Sequence, residues 1–86
     1  MPIVSRFFGI AIALYWEDHL PPHFHAKYGG DEGMLDIRTG TAIRGSLPKR
    51  VLALVEEWRV AHTEELMSNW ERARQRLPLV YIAPLE

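Results

Sequence analysis

Residues 23–40 read HFHAKYGGDEGMLDIRTG, and their period is two. His23, His25 and Lys27 alternate with Phe24, Ala26 and Tyr28, so a β-strand here would put imidazoles on one face and apolar groups on the other. GGDEG (29–33) reads as a loop whose glycines are free to take positive φ. MLDIRT (34–39) is then a second strand, with Leu35 and Ile37 on one side and Asp36 and Arg38 on the other. Thr39-Gly40 marks a tight turn into TAIRGSL (41–47). Connections this short imply an antiparallel meander rather than a crossover sheet.

Upstream, IVSRFF (3–8) and IAIALYW (10–16) are rich in β-branched and aromatic residues. Gly9 lies between them as a bend or bulge. One glycine is short for a hairpin loop, so a single long bent strand is the alternative to two. Downstream the period lengthens. Val51, Leu54, Val55, Trp58, His62, Leu66, Trp70 and Ala73 recur at three- and four-residue steps, a helical stripe. Ser46 and Pro48 are start signals, and Thr63 followed by Glu64 and Glu65 resembles an internal cap. Two helices are predicted, 48–61 and 63–76, meeting near His62, with Trp58 and Trp70 as the largest core fillers. The tail 77–86, with two prolines, should be extended and suits an edge strand on the sheet. The expected architecture is α+β: a single domain over 1–86, with a small antiparallel meander over 3–46 and the two helices packed on one face.

The 86 residues include no cysteine, which excludes disulfides and thiolate metal sites. A net charge of −1 and a pI near 6.4 lack the basic field of a non-specific nucleic-acid binder. Lys49, Arg50, Arg72, Arg74 and Arg76 are balanced by Glu56, Glu57, Glu64, Glu65 and Glu71, as on solvated helix faces. The apolar run FFGIAIALYW (7–16) is half the ~20 residues a spanning helix needs. It meets Glu17 and Asp18 rather than a cleavage site, so a soluble, unprocessed, cytoplasmic protein without a membrane partner is expected.

The chemistry concentrates in EDHLPPHFHAKY (17–28), which holds three of the four histidines. His23 and His25 leave the same strand face, a good arrangement for two nitrogens on one metal. The stiff Pro21-Pro22 turn can bring His19 toward them, with Asp18 as fourth ligand or as an outer acceptor orienting a ring N–H. Zinc, nickel or another divalent transition metal suits such a set. Metal-independent proton chemistry is the second alternative: His23 and His25 as general acid and base, with Arg6 or Lys27 meeting a phosphate, as in RNA cleavage. The third is structural, with Asp18 and His19 bonding the turn and His23 and His25 facing solvent or a partner. His62, on the apolar stripe, reads as a helix C-terminal cap. Phosphate-cradling glycine loops, nucleophile elbows and dinucleotide fingerprints are absent from the sequence.

These residues resemble the small bacterial domain of unknown function 4160. The likeness is carried by MPIVSRFFGIAI, DHLPPHFHAKYGG, GMLDIRTG, GSLP, VEEWRVAHTEEL with NW, and the IAPLE ending. Its motif falls on Arg6, Phe7, Phe8, Gly9, Asp18, His19, Pro21, Pro22, His23, Phe24, His25, Tyr28, Trp58, His62 and Trp70. ALYW (13–16) departs from it, since many relatives carry a polar or basic residue and a Tyr there. The resemblance brings no established activity. It implies a gene neighbour of the domain of unknown function 2442 type, hence a toxin–antitoxin-like pair binding a small protein partner, or self, with RNA as substrate if His23, His25 and Arg6 are catalytic. The alternative is a non-catalytic metal-binding or interaction module using His19, His23 and His25. Cofactor binding beyond such a metal is not expected.

Overall fold

The computed structural model describes residues 2–16 and 18–86, and their period-two segments form one sheet. Strands β1 (Ile3–Phe7), β2 (Ile10–Ala13), β3 (His23–Tyr28), β4 (Asp31–Asp36) and β5 (Ala42–Gly45) lie side by side in sequence order, every neighbour antiparallel. Helices α1 (Lys49–Ala61) and α2 (Thr63–Arg74) follow. The expected α+β meander with two C-terminal helices is thus the observed one.

The turns differ from expectation, and the differences matter for the site. Phe7 pairs with Ile10, so β1 and β2 are separate strands joined by the two-residue turn Phe8-Gly9, not one bent strand. Both turn residues have positive φ, 49° and 79°, the geometry whose twist matches a hairpin. An aromatic residue at such a position hides the signal that Asn or Gly would give. Phe8 is exposed and loses little burial on replacement. Phe8→Asn is therefore expected to stabilise the fold by about 0.5–1 kcal/mol, read as a higher melting temperature.

The second turn is Gly29-Gly30 alone, because Tyr28 pairs with Asp31. Asp31, Glu32 and Gly33, expected in the loop, belong to β4. Gly33 is a packing glycine: a Cβ there would stand 3.2 Å from Leu47. The corrected register sets His25 opposite Met34, and Met34 opposite Arg44.

Between β4 and β5, the Asp36 carboxylate accepts the N–H groups of Arg38 (2.8 Å) and Thr39 (3.1 Å). Gly40 follows at φ 78°, where a Cβ would collide with the Glu56–Arg59 pair. Arg59 is buried, donating to Ile37 O (2.9 Å) and through Nε and Nη2 to Glu56 (2.8 and 2.6 Å). It fastens α1 to this turn. The Arg59 hydrogen bonds hold the Glu56 carboxyl below its ordinary range.

The helices break at His62, as expected, but the caps differ. Neither Ser46 nor Thr63 caps a helix; Thr63 Oγ1 instead donates back to Arg59 O at 2.8 Å. His62 does not cap carbonyls with its ring, which meets Glu65 at 2.6 Å and packs on Trp58. Val51, Val55, Trp58, Leu66 and Trp70 join Phe7, Ile12, Phe24 and Leu35 in one core, and the Trp58 ring meets both Phe7 and Phe24. Residues 77–86 form a strap, not an edge strand. Asn69 both donates to and accepts from the Val80 backbone (2.8 Å each), Ile82 N donates to Val4 O (2.7 Å), and Trp58 Nε1 donates to Ala83 O (2.8 Å). Among the described residues, no helix is long and apolar enough to cross a membrane.

Candidate metal centre

β3 carries the imidazoles, and the diproline segment before it carries the carboxylate that meets them. His23 Nε2 lies 2.9 Å from Asp18 Oδ2, and His25 Nε2 lies 3.3 Å from the same oxygen. The three donor atoms fall within 4.8 Å of one another. Both imidazoles are buried, while Asp18 retains partial access to solvent. The Trp70 ring flanks His23 at 5.2 Å, and the Tyr15 ring stands edge-on to His25 at 4.5 Å.

Each donor is aimed by a second contact. The His19 N–H donates to Asp18 Oδ1 at 2.9 Å, leaving Oδ2 to the rings. His23 Nδ1 lies 2.8 Å from Pro21 O, a group that can only accept, so this nitrogen carries hydrogen. His25 Nδ1 meets Glu32 Oε2 at 3.1 Å and carries hydrogen by the same logic. Neutral rings with hydrogen on Nδ1 turn both Nε2 lone pairs toward Oδ2. A hydrogen or a metal ion between each Nε2 and Oδ2 satisfies this geometry. A ring N–H donated to a carboxylate or backbone carbonyl is the usual outer partner of a metal-bound histidine. Burial pushes the Asp18 carboxyl up, but the His19 N–H and the two imidazoles outweigh it and hold it below 3.8. Its stabilising contribution is therefore full above that value and lost as pH falls through the lower folded one.

The structure thus brings together Asp18, His23 and His25. The His19 side chain is exposed and outside this group, and its backbone is what serves the site. Arg6 is not at the cluster. It pairs with Ala11, which pairs with Lys27, so it lies two strand spacings, roughly 9–10 Å, from β3 and two residue pairs further along than His25. Lys27 stands 5.8 Å from the Tyr15 ring centroid. Glu17 lies outside the described residues. Glu32, Met34 and Arg44 carry no local signal as site residues because their proximity depends on register, and Tyr15 carries none either. A two-residue Gly29-Gly30 turn, had it been assumed, places Glu32 diagonal to His25 across the hairpin.

Residues 9–71 match the family model described as "Domain of unknown function (DUF4160)". The chain belongs to this family. Asp18, His23, His25, Glu32 and Arg44 all fall inside the DUF4160 match, while Arg6 precedes it. No curated protein matches the chain, and no solved structure does. The DUF4160 description assigns no activity, so function has to be argued from the geometry.

Proposed function

We propose that this protein binds one divalent transition metal, zinc foremost, through Asp18 Oδ2, His23 Nε2 and His25 Nε2. The observation that carries this is the convergence of both Nε2 atoms on one carboxylate oxygen, with each Nδ1 already committed elsewhere. Two imidazoles and a carboxylate are a common set for zinc and for non-haem iron. Three protein donors leave a coordination position for water or a ligand. Metal analysis of protein purified without a polyhistidine tag tests the proposal. About one zinc or comparable ion per chain is expected. Asp18→Ala should empty the site, and Glu32→Gln should weaken metal affinity by about 10–100-fold, as loss of an outer partner does. A wild-type protein that takes up no zinc, nickel, cobalt or iron(II) at micromolar concentration refutes the assignment.

A second reading keeps the histidines as proton carriers in a toxin–antitoxin-like ribonuclease with a small protein partner. Its support is the proximity of the rings, whose centroids are 5.3 Å apart. It requires expression toxicity that survives metal chelation and vanishes in His23→Ala and His25→Ala. It also requires co-elution with a partner of the domain of unknown function 2442 type. Arg6 would serve it only by meeting a substrate that reaches across the sheet.

A further inference from the structure

Arg44 lies on β5, the last strand of the sheet. It pairs with Met34, which pairs with His25, so the three residues form one cross-strand row, and successive side chains in such a row share a face. Two hollows flank Met34. One, of about 150 Å³, is lined by Asp18, His23, Leu20, Met34 and Arg44; the other, of about 300 Å³, by His25, Glu32, Met34 and Arg44. Arg44 borders both. Among the described residues its guanidinium has no hydrogen bond or ion pair, whereas Arg59 is doubly paired.

We infer that Arg44 anchors an oxyanion, the phosphate or carboxylate group of a small ligand, whose remaining oxygen takes the open position on the metal. The inference rests on the metal-binding proposal and adds the chemical class of what that site receives. A guanidinium presents a planar fork matched to both groups. A divalent cation and Arg44 together outweigh the charges of Asp18 and Glu32, so the loaded site is net positive and selects anions. The hollow beside Asp18 is smaller than the ~300–1,000 Å³ of pockets that enclose drug-sized ligands, so it takes a head group while the rest of the ligand lies outside. Leu20 and Ile43, both exposed large apolar side chains, rim that hollow and supply apolar contact for the rest.

An exposed arginine on a terminal strand has an ordinary alternative role, discouraging edge-to-edge pairing of sheets. Anion binding separates the two roles. The full chain is loaded with cobalt(II), which is visible where zinc is silent, and titrated with inorganic phosphate and, separately, acetate. Saturable change in the cobalt absorption is expected with at least one of them, and which one responds identifies the class. Arg44→Gln should raise the half-saturating anion concentration about tenfold or more, with Arg44→Lys in between, while cobalt affinity stays within about twofold. Unchanged anion binding in Arg44→Gln overturns the inference, and so does a cobalt spectrum indifferent to both anions in the wild type. Failure of the wild type to bind cobalt is a separate result: it removes the metal proposal, and this inference with it.

Discussion

A melting temperature higher by roughly 10–20 °C is the expected result of adding zinc to the metal-free chain at about a hundredfold its dissociation constant. At that ratio, binding to the folded state alone adds about 2.7 kcal/mol. In a domain of this size, each kcal/mol moves the midpoint by about 4–8 °C. The shift should vanish in Asp18→Ala and shrink in Glu32→Gln, because one removes a donor and the other loosens the His25 ring. It should also weaken as pH falls, since every donor must be deprotonated to bind. The Asp18 carboxyl is held below its ordinary 3.8, so its part persists to a lower pH than that of a free carboxylate. Differential scanning fluorimetry with and without a chelator measures all of this. A zinc-induced shift of equal size in wild type and Asp18→Ala would place the metal elsewhere on the protein.

The second large effect concerns Trp58, which has no solvent exposure, touches Phe7, Phe24 and His62, and donates to Ala83 O. Truncation to alanine should cost about 3–5 kcal/mol. The total stability of a chain this long is on the order of 4–13 kcal/mol, so the variant should lose a large share of it and melt roughly 10–40 °C lower. Trp58→Phe is the informative companion. It keeps most of the apolar contact but deletes the indole N–H that holds Ala83, so loss should concentrate in the tail. Faster amide exchange at Val80 and Ile82, with the β3–β4 amides still protected, is the expected pattern. Uniform acceleration across the sheet would mean that the hydrogen bond to the strap is not a separable element.

Much of this molecule can be read from local chemistry. Alternation in HFHAKY points to a strand, the three- and four-residue spacing after Pro48 points to helices, and the break near His62 is signalled by Thr63-Glu64-Glu65 although Thr63 does not cap. The convergence of Asp18, His23 and His25 was likewise accessible, because a stiff turn and a two-residue spacing are local features. What is harder to read is of two kinds, a turn residue of unexpected type and contacts set by distance along the chain. Phe8 occupies a positive-φ position without announcing it. Gly33 looks like a loop residue but is small to admit Leu47. Glu32 and Arg44 reach the site only through strand register, and the Gly40–Arg59 fit joins a turn to a helix that follows it by many residues. Arg6 shares the face of the imidazoles but stands two strands away from them, a separation that only the strand order reveals.

The bond from Ile82 N to Val4 O joins residues that lie far apart in sequence. Such a contact carries a larger loop-closure cost than the pairing of neighbouring strands in the meander, so it should form after them. The short strap then acts as the closing clasp on a core assembled beforehand.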